Sequence, residues 1–398
     1  MSFTKPLSIA LLAVSLNAAA QTPTPTLGQA TPTQAAAPAA VPDAPLLAAS
    51  GYILVDGETG EVLAQNNADE RLPPASLTKM MSSYLVIEEL VNGRINESSL
   101  VNISVKAWKM EGSRMYVKEG TQVPVIDLLR GEIVQSGNDA TVALAEYVGG
   151  TEDAFVDLMN KRAKELGMTN THYQNAAGLP AEGHYTTARD LATLARAVIY
   201  KHPQHYPLYA EKEFKYNNIR QPNRNRLLFL DPTVDGLKTG HTEEAGYCLV
   251  ASSKRENTRL IAVVLGTKSD SARASETQKL LAYGFRYFET VDLYKANTEV
   301  TKSRVWSGKA PEVLLGLAKD VRMSLPRGRI NDVKANVHVN ETITAPIAAG
   351  QELGKLTIEL DGKVINTQPL VALQPVEEAS FFARMWDKVK LFFRGLFS

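Results

Sequence analysis

The stretch PASLTKMMSSYLVIEEL (residues 74–90) begins as a proline turn, continues as an apolar helix and carries a serine and a lysine near its start. Pro73 and Pro74 end any preceding helix and allow a new one to begin after them. Ser76 and Lys79 are three residues apart, so they share one helix face. A serine hydroxyl becomes a useful nucleophile when a base takes its proton, and a lysine can be that base if burial lowers its pKa. The same letters also occur in an ordinary helix start, with an N-cap serine and a surface lysine.

The composition indicates a globular protein of more than one domain. A chain of 398 residues is too long for one ordinary core, and 44% hydrophobic residues is a usual content. The 43 basic and 43 acidic side chains give a net charge of zero. This balance argues against nucleic acid as the main partner.

The N-terminal residues predict an exported protein. Residues 1–20 combine Lys5, an apolar run and Ala18–Ala20, which is typical of a signal peptide cleaved before Gln21. The apolar run is too short to span a bilayer. Residues 21–47 are rich in Pro, Thr and Ala and predict a disordered linker. Cys248, the single cysteine in the sequence, lies in the apolar run GYCLVAS and is predicted to be a buried strand residue.

The first folded domain is predicted at residues 48–291. It opens with a hairpin signal, GYILVDGETGEVLAQN (51–66), and closes with the strand-like runs AGYCLVASS and TRLIAVVLGT. Between them lie helical patterns, including one that Thr187 is placed to cap. Strands at both ends and helices in the middle predict one sheet closed by both ends of the domain.

A second, all-β domain is predicted at residues 295–375. Leu356, Ile358 and Leu360 alternate along one run, and Asp361-Gly362 then supplies the turn of a two-residue hairpin. Several short alternating runs of this kind are typical of a small β-sandwich or barrel.

The last residues, 379–398, predict an amphipathic helix that lies in a membrane interface without spanning it. Its apolar stripe at helical spacing consists of Phe382, Met385, Trp386, Val389, Phe392, Phe393, Leu396 and Phe397. Leu391 departs from this stripe. A core helix or an oligomer contact is the alternative explanation for these residues.

Two further motifs follow the first one along the chain. The sequence QSGNDA contains Ser136 and Asn138, and VDGLKTGHT contains Lys238, Thr239 and Gly240 at the edge of a predicted strand. A glycine at that place lets a substrate backbone approach the strand and pair with it. Taken alone, the second motif is better explained as an Asn-Asp helix start, and the third is also compatible with a β-turn.

Together, the order SLTK, SGN, KTGHT resembles the signature of serine enzymes that react with penicillin. The sequence resembles the D-alanyl-D-alanine carboxypeptidases, which are low-molecular-mass penicillin-binding proteins. LPPASLTKMM, SGNDA, NRNRLL, VDGLKTGHTEEAGY and FRYFETV all carry the resemblance, which extends over residues 48–398. It implies an α+β catalytic domain of the serine DD-peptidase/β-lactamase type, with an antiparallel sheet and a helical cluster. A small β domain and an amphipathic helix then follow.

The resemblance also implies roles for the motif residues. Ser76 would attack the D-Ala-D-Ala bond, and Lys79 would be its base. Ser136 and Lys238 would relay the proton to the leaving amine, and Asn138 would hold the substrate amide.

The implied binding groups lie around the third motif. The backbone N–H groups of Ser76 and His241 would form the oxyanion hole. Thr239 and Arg273 would bind the free carboxylate of the substrate, with help from Arg224.

The expected function is removal of the terminal D-alanine from peptidoglycan pentapeptides, with a role in cell-wall maturation and shape. The expected partners are peptidoglycan stem peptides, β-lactams as covalent inhibitors, and the periplasmic face of the bacterial inner membrane. No metal or cofactor is implied, since the histidines show no zinc-binding spacing. Two alternatives are a β-lactamase-like hydrolase and a silent, membrane-tethered peptidoglycan-binding protein. The first would need a deacylating glutamate motif, E-x-x-L-N, which does not occur between Ser136 and Lys238.

Overall fold

The computed structural model describes residues 41–396, so the predicted signal peptide and most of the predicted linker lie outside the described residues. The end of that linker, residues 41–47, has no regular secondary structure but bonds to the first domain. The hydroxyl of Tyr52 donates to the carbonyl oxygen of Pro45 at 3.0 Å, and that of Tyr283 donates to Pro42 at 2.9 Å. These contacts hold the end of the segment against the domain that follows.

The first part of the structure alternates strands and helices. Its strands are β1 (Gly51–Asp56), β2 (Val62–Asn66), β3 (Leu100–Asn102), β4 (Gln122–Pro124), β5 (Glu213–Tyr216), β6 (Ile219–Pro222), β7 (Val234–Thr242), β8 (Gly246–Arg255) and β9 (Thr258–Thr267). Its α-helices are α1 (Lys79–Val91), α2 (Val105–Trp108), α3 (Val125–Val134), α4 (Asn138–Gly149), α5 (Glu152–Glu165), α6 (Ala188–Lys201), α7 (Leu227–Leu230) and α8 (Asp270–Tyr287). Two 3-10 segments, Ala75–Thr78 and Tyr206–Ala210, complete it.

The main sheet is antiparallel and has the order β2-β1-β9-β8-β7. The N-terminal hairpin therefore pairs with strands from the far end of the domain, which confirms the prediction of a sheet closed by both ends. Strand β7, which carries the third motif, lies at one edge. One side of its backbone is consequently not paired with another strand of this sheet.

Both faces of the sheet are covered. Side chains alternate along β1, so that Ile53 and Val55 belong to the core shared with the helical cluster, while Tyr52 and Leu54 belong to the core on the opposite face. Helix α8 covers that second face. Cys248 of β8 is buried in the first core, as predicted for a strand residue.

Helix α1 is buried along most of its length, from Lys79 to Ile87, as its apolar composition predicts. The chain enters it through the 3-10 segment, so Ser76 lies just before the α-helix and not inside it. The predicted cap of α6 is present, because the Thr187 side chain accepts a hydrogen bond from the N–H of Asp190.

The second part of the structure is built from strands. They are β10 (Phe288–Tyr294), β11 (Glu299–Trp306), β12 (Glu312–Gly316), β13 (Val321–Pro326), β14 (Lys334–Val339), β15 (Ile343–Thr344), β16 (Glu352–Leu360) and β17 (Lys363–Ala372). The larger sheet has the order β14-β16-β17-β12-β11-β15, and β10 pairs with β13. This pairing places residues from 288 onward in the β-rich part, slightly before the boundary predicted at 291–295. Asp361 and Gly362 form the predicted hairpin turn with φ angles of +54° and +74°.

The terminal helix, α9 (Phe381–Leu396), turns its charged side toward the β-rich part. Asp387 accepts a hydrogen bond from the backbone N–H of Ser307 at 3.0 Å, and Arg384 pairs with Glu378. Leu391, which departs from the apolar stripe, is half-buried on this same side.

The apolar stripe of α9 faces outward instead, with Phe382 78% and Phe392 67% exposed. Leu396 and Phe397, the last two members of the predicted stripe, lie outside the residues whose side chains are described. In the described part of the chain, no helix combines the length and the apolar character that crossing a bilayer requires.

Candidate active site

The first motif places a serine and a lysine in contact at the entrance of α1. Ser76 is half-buried in the 3-10 turn and Lys79, only 1% exposed, is the first residue of the helix. The Lys79 Nζ atom lies 3.2 Å from Ser76 Oγ. Because side chains at i and i+3 align along a 3-10 segment, this local structure brings the two groups together.

Two carbonyl oxygens hold the other side of the lysine. Its Nζ atom donates to Asn138 Oδ1 at 2.7 Å and to the backbone oxygen of Ala177 at 2.5 Å. Burial lowers the pKa of Lys79 to about 7. The next largest effects are the charge of Glu132, which raises this pKa, and the charge of Arg224, which lowers it. A neutral amine is therefore available near pH 7, as a base acting on Ser76 requires.

The turn that carries Ser76 has an unusual backbone. Ala75 has a φ of +48°, in the left-handed region that L-residues avoid. Gly178, with a φ of +83°, packs on this turn so closely that a Cβ there would lie 1.8 Å from Ala75 O. Residues 177 and 178 therefore contribute to the site in two ways. The carbonyl of Ala177 accepts a hydrogen bond from Lys79, and Gly178 packs against the turn that carries Ser76. No sequence motif indicated this segment.

The second motif occupies the gap between α3 and α4. Ser136 has a φ of +65°, and Asn138 is the first residue of α4, with its Nδ2 atom donating to Glu111 O at 2.6 Å. Asp139, the residue after Asn138, also contributes to the site and was not predicted from the sequence. Its carboxylate accepts backbone N–H groups from residues 115–117 at 2.8–3.1 Å and thereby fixes the loop beside Asn138.

The third motif supplies the second lysine from β7. Lys238 is 3% exposed, and its Nζ atom donates to Ser136 Oγ at 2.9 Å and to the backbone oxygen of Thr239 at 3.0 Å. Burial, and then the positive charge of Lys79, lower the pKa of Lys238 well below its ordinary value. The side chains of the three motifs therefore form two hydrogen-bonded groups, Ser76–Lys79–Asn138 and Ser136–Lys238, which the short segment from Ser136 to Asn138 joins.

Strand β7 passes directly beside the Ser76 turn at Gly240. A Cβ at that position would lie 3.0 Å from Pro74 O and 3.2 Å from the N atom of Leu77. The missing side chain thus allows the turn itself to approach the strand. This contact brings His241, the next residue, alongside the turn. The His241 ring is exposed and stacks on Tyr247 at 3.8 Å between centroids.

The two predicted arginines flank this strand and the second motif. Arg273 of α8 is buried, donates to Gly240 O at 3.2 Å and forms an ion pair with Asp270. Arg224 is exposed and donates to the backbone oxygen of Gln135 at 3.1 Å, next to Ser136. Thr239, between Lys238 and Gly240, is buried. No group of three or more His, Cys, Asp and Glu residues suited to a metal ion occurs within residues 41–396.

Two known protein families match this chain. Residues 38–269 match the D-alanyl-D-alanine carboxypeptidase family, and residues 288–378 match the penicillin-binding protein 5 C-terminal domain. D-alanyl-D-alanine carboxypeptidase DacC of Escherichia coli is 46% identical over 363 residues, which is 89% of this chain and 91% of that protein.

Solved structures extend the likeness to the fold. Penicillin-binding protein 5 from Haemophilus influenzae superposes with a TM-score of 0.81 at 42% identity, covering 84% of this chain and 99% of that one. Penicillin-binding protein D2 from Listeria monocytogenes, in its ampicillin-bound form, matches with a TM-score of 0.56 at 31% identity. It covers 60% of this chain and 98% of the Listeria chain.

Proposed function

We propose that Ser76 is the nucleophile of this chain and forms the acyl-enzyme. The premise is that the chain belongs to the D-alanyl-D-alanine carboxypeptidase family and is a serine-type carboxypeptidase and penicillin-binding protein. The observation that carries the proposal is the environment of the Lys79 amine. A neutral amine has two N–H groups and one lone pair. Asn138 Oδ1 and Ala177 O accept the two hydrogens, which leaves the lone pair for the hydroxyl of Ser76.

Acylation then proceeds with one proton passing from Ser76 Oγ to Lys79 Nζ. The oxygen forms a bond to the carbonyl carbon of the penultimate D-alanine, and the bond from that carbon to the nitrogen of the terminal D-alanine breaks. The leaving amine takes up that proton, which passes from Lys79 by way of Ser136, whose hydroxyl lies 2.9 Å from Lys238 Nζ, so that Lys79 is neutral again. Water afterwards hydrolyses the ester on Ser76 and releases the shortened peptide.

The substrate is placed by β7. An extended peptide pairs with the free side of this edge strand, so that its scissile carbonyl lies between the strand and the Ser76 turn. The backbone N–H groups of Ser76 and His241 are the donors for the oxyanion, a type of contribution commonly worth about 3 kcal/mol per donor. The close approach at Gly240 supports this assignment because it sets the two backbone segments side by side.

The free carboxylate of the substrate binds near Thr239 and Arg273, with Arg224 at the rim. Arg273 is buried behind the strand and fixed by Gly240 O, so its position is set before substrate arrives. A buried guanidinium favours a substrate that ends in a carboxylate. This arrangement favours removal of the terminal residue over internal cleavage.

β-Lactams acylate the same serine and leave slowly. In the described part of the chain, no carboxylate side chain bonds directly to the side chain of Ser76 or Lys79, whose side-chain polar contacts are each other, Asn138 Oδ1 and Ala177 O. None of these contacts is a carboxylate that could activate a deacylating water. The covalent complex is therefore expected to persist, as in a penicillin target and unlike a β-lactamase.

The enzyme works outside the cytoplasm, held on the periplasmic face of the inner membrane by α9. The signal-peptide pattern of residues 1–20 supports export. The orientation of α9 supports the attachment, since its charged side bonds to the β-rich part and its aromatic stripe faces outward.

Release of D-alanine from a pentapeptide by the purified chain, with and without penicillin, tests the proposal. The expected result is turnover that penicillin blocks by forming one covalent adduct on Ser76. An adduct on another residue, or none, would contradict it.

A further inference from the structure

Glu132 is a buried carboxyl group behind the two lysines, and the proposed reaction does not use it. It lies on α3 with 0% of its surface exposed. Its Oε1 atom bonds to the hydroxyl of Ser82, while Oε2 has no hydrogen-bond partner among the described residues. Asp139, a neighbouring buried carboxylate, instead accepts several backbone N–H groups. Hydrogen bonds alone therefore leave the charge of Glu132 poorly compensated.

The charge compensation must come from the groups that surround this carboxyl. The polar and titratable side chains facing it are Lys79 and Ser82 from α1, Thr141 from α4, Tyr209 from the second 3-10 segment and Lys238 from β7. Helix α3 also packs on β4, which has no titratable side chain, and on β5, where Glu213 and Lys215 are exposed and Tyr216 is half-buried. The two active-site lysines are thus the cations that face Glu132.

A hydroxyl connects Glu132 to the start of α1. Ser82 bonds to the carboxyl and also lies 3.2 Å from the backbone oxygen of Lys79. The carboxyl group is therefore held in a fixed place relative to the lysine that receives the proton from Ser76.

We propose that Glu132 is a positioning residue for acylation, whose carboxylate stabilises the ammonium form that Lys79 takes on receiving the Ser76 proton. The inference rests on the proposed function of Ser76 and Lys79. The proton passes from oxygen to nitrogen as before, and Glu132 neither gives nor takes one. It makes Lys79 a stronger base and raises the pH at which the neutral form of that base becomes available.

The directions of the pKa shifts of Glu132 and Lys79 agree with this proposal. Burial raises the pKa of Glu132 to about 7, against the hydrogen bond from Ser82 and the charge of Lys79. Burial, and then Arg224, lower the pKa of Lys79, whereas Glu132, and after it Asp139, raise it. Both groups consequently change charge over the range in which the enzyme becomes active.

The test is the pH dependence of acylation by a fluorescent penicillin, followed at Ser76 in the purified chain and in Glu132→Gln. In the variant, we expect the acidic limb of the profile to move to lower pH by about one unit, because Lys79 loses an opposing charge. The plateau rate at high pH falls as well, because the amine is a weaker base. If the acidic limb of the pH profile did not move, the inference would be overturned. A lower plateau rate alone would not support it, because loss of packing alone can lower that rate.

A matched pair of serines provides a second test, independent of whether the first variant folds. Ser83 also donates to Lys79 O, at 2.5 Å, but its other partner is Tyr209 Oη at 2.7 Å. Ser82→Ala removes the hydroxyl that stabilises the Glu132 carboxylate and is expected to move the limb part of the way, whereas Ser83→Ala leaves it in place. Equal behaviour of the two variants would overturn the inference. Absence of labelling in the parent chain would instead contradict the proposed function itself.

Discussion

A side chain at Gly178 would begin 1.8 Å from the carbonyl oxygen of Ala75, the residue immediately before the nucleophile. The two backbones therefore form one packed unit, and the position of Ser76 depends on a glycine far along the sequence. The neighbouring carbonyl of Ala177 accepts a hydrogen bond from Lys79, so the same unit also fixes the base.

Replacement of Gly178 by Ala should displace this unit. Because the clash is with backbone, the Ser76 turn must move, and we expect acylation by penicillin to fall at least a hundredfold. The positive φ adds about 1 kcal/mol of destabilisation. Labelling rates and thermal unfolding measure the two effects.

Gly167→Ala is the matched control for this substitution. Gly167 has a φ of +81° but nothing within 4 Å of its Cβ position, so the variant carries the backbone cost without the clash. Its labelling rate should stay close to that of the parent chain. Equal loss of labelling in both variants would show that the clash is unimportant.

The acylation rate should rise with pH through about 7, the value to which burial lowers the pKa of Lys79. Below that pKa the amine is protonated, so the rate falls about tenfold for each unit of pH. Lys79→Arg should be inactive across the whole range, since an arginine stays charged and cannot accept the proton. An active arginine variant would exclude the lysine as base.

Arg273 should determine the preference for a free carboxylate. In Arg273→Ala, we expect the KM for a pentapeptide acid to rise about tenfold to a hundredfold, in line with the loss of a hydrogen bond to a charged group. The KM for the same peptide ending in an amide should change little. Comparison of the two substrates by D-alanine or D-alaninamide release measures the effect.

Arg226→Ala is the control for this prediction. Arg226 pairs with Asp270, the same carboxylate that pairs with Arg273, but it is exposed. In Arg226→Ala, the KM values for the peptide acid and the peptide amide should both stay within about twofold of those of the parent chain, because an exposed ion pair contributes little. A change in acid preference in this variant would place the effect on Asp270 and not on Arg273.

Removal of residues from 379 onward should release the protein from membranes and leave turnover of a soluble pentapeptide unchanged. The double substitution Trp386→Glu and Phe392→Glu should act in the same way, because these side chains are 62% and 67% exposed. Sedimentation with membrane vesicles, together with D-alanine release, measures both properties. If the truncated chain still sediments with the vesicles, α9 is not the anchor.

The elements that the sequence predicted correctly are those with strong local signals. The two prolines before Ser76, the apolar run after Lys79 and the threonine before α6 each act within a few residues of the chain. The order of the three motifs likewise identified the five polar groups that the structure brings together.

The features that sequence reasoning missed depend on contacts between distant segments. Ala177 acts through its backbone oxygen, which no side-chain pattern reveals, and Gly178 through a side chain that it lacks. Asp139 was visible in SGNDA, but its function of fixing a separate loop needs the fold. Glu132 had a signal, an acid within the apolar run LLRGEIVQ, and a buried acid of this kind is unusual enough to be noted.

The edge position of β7 has a consequence for what this enzyme can distinguish. A peptide that joins a sheet as an added strand is recognised by its main chain, and main-chain groups are the same in every peptide. Sequence variation in the body of the stem peptide should therefore matter little to the enzyme, whereas the stereochemistry and the charge of its last two residues should matter greatly. Such an enzyme is specific for the end of a peptide chain and tolerates most changes in the residues that precede it.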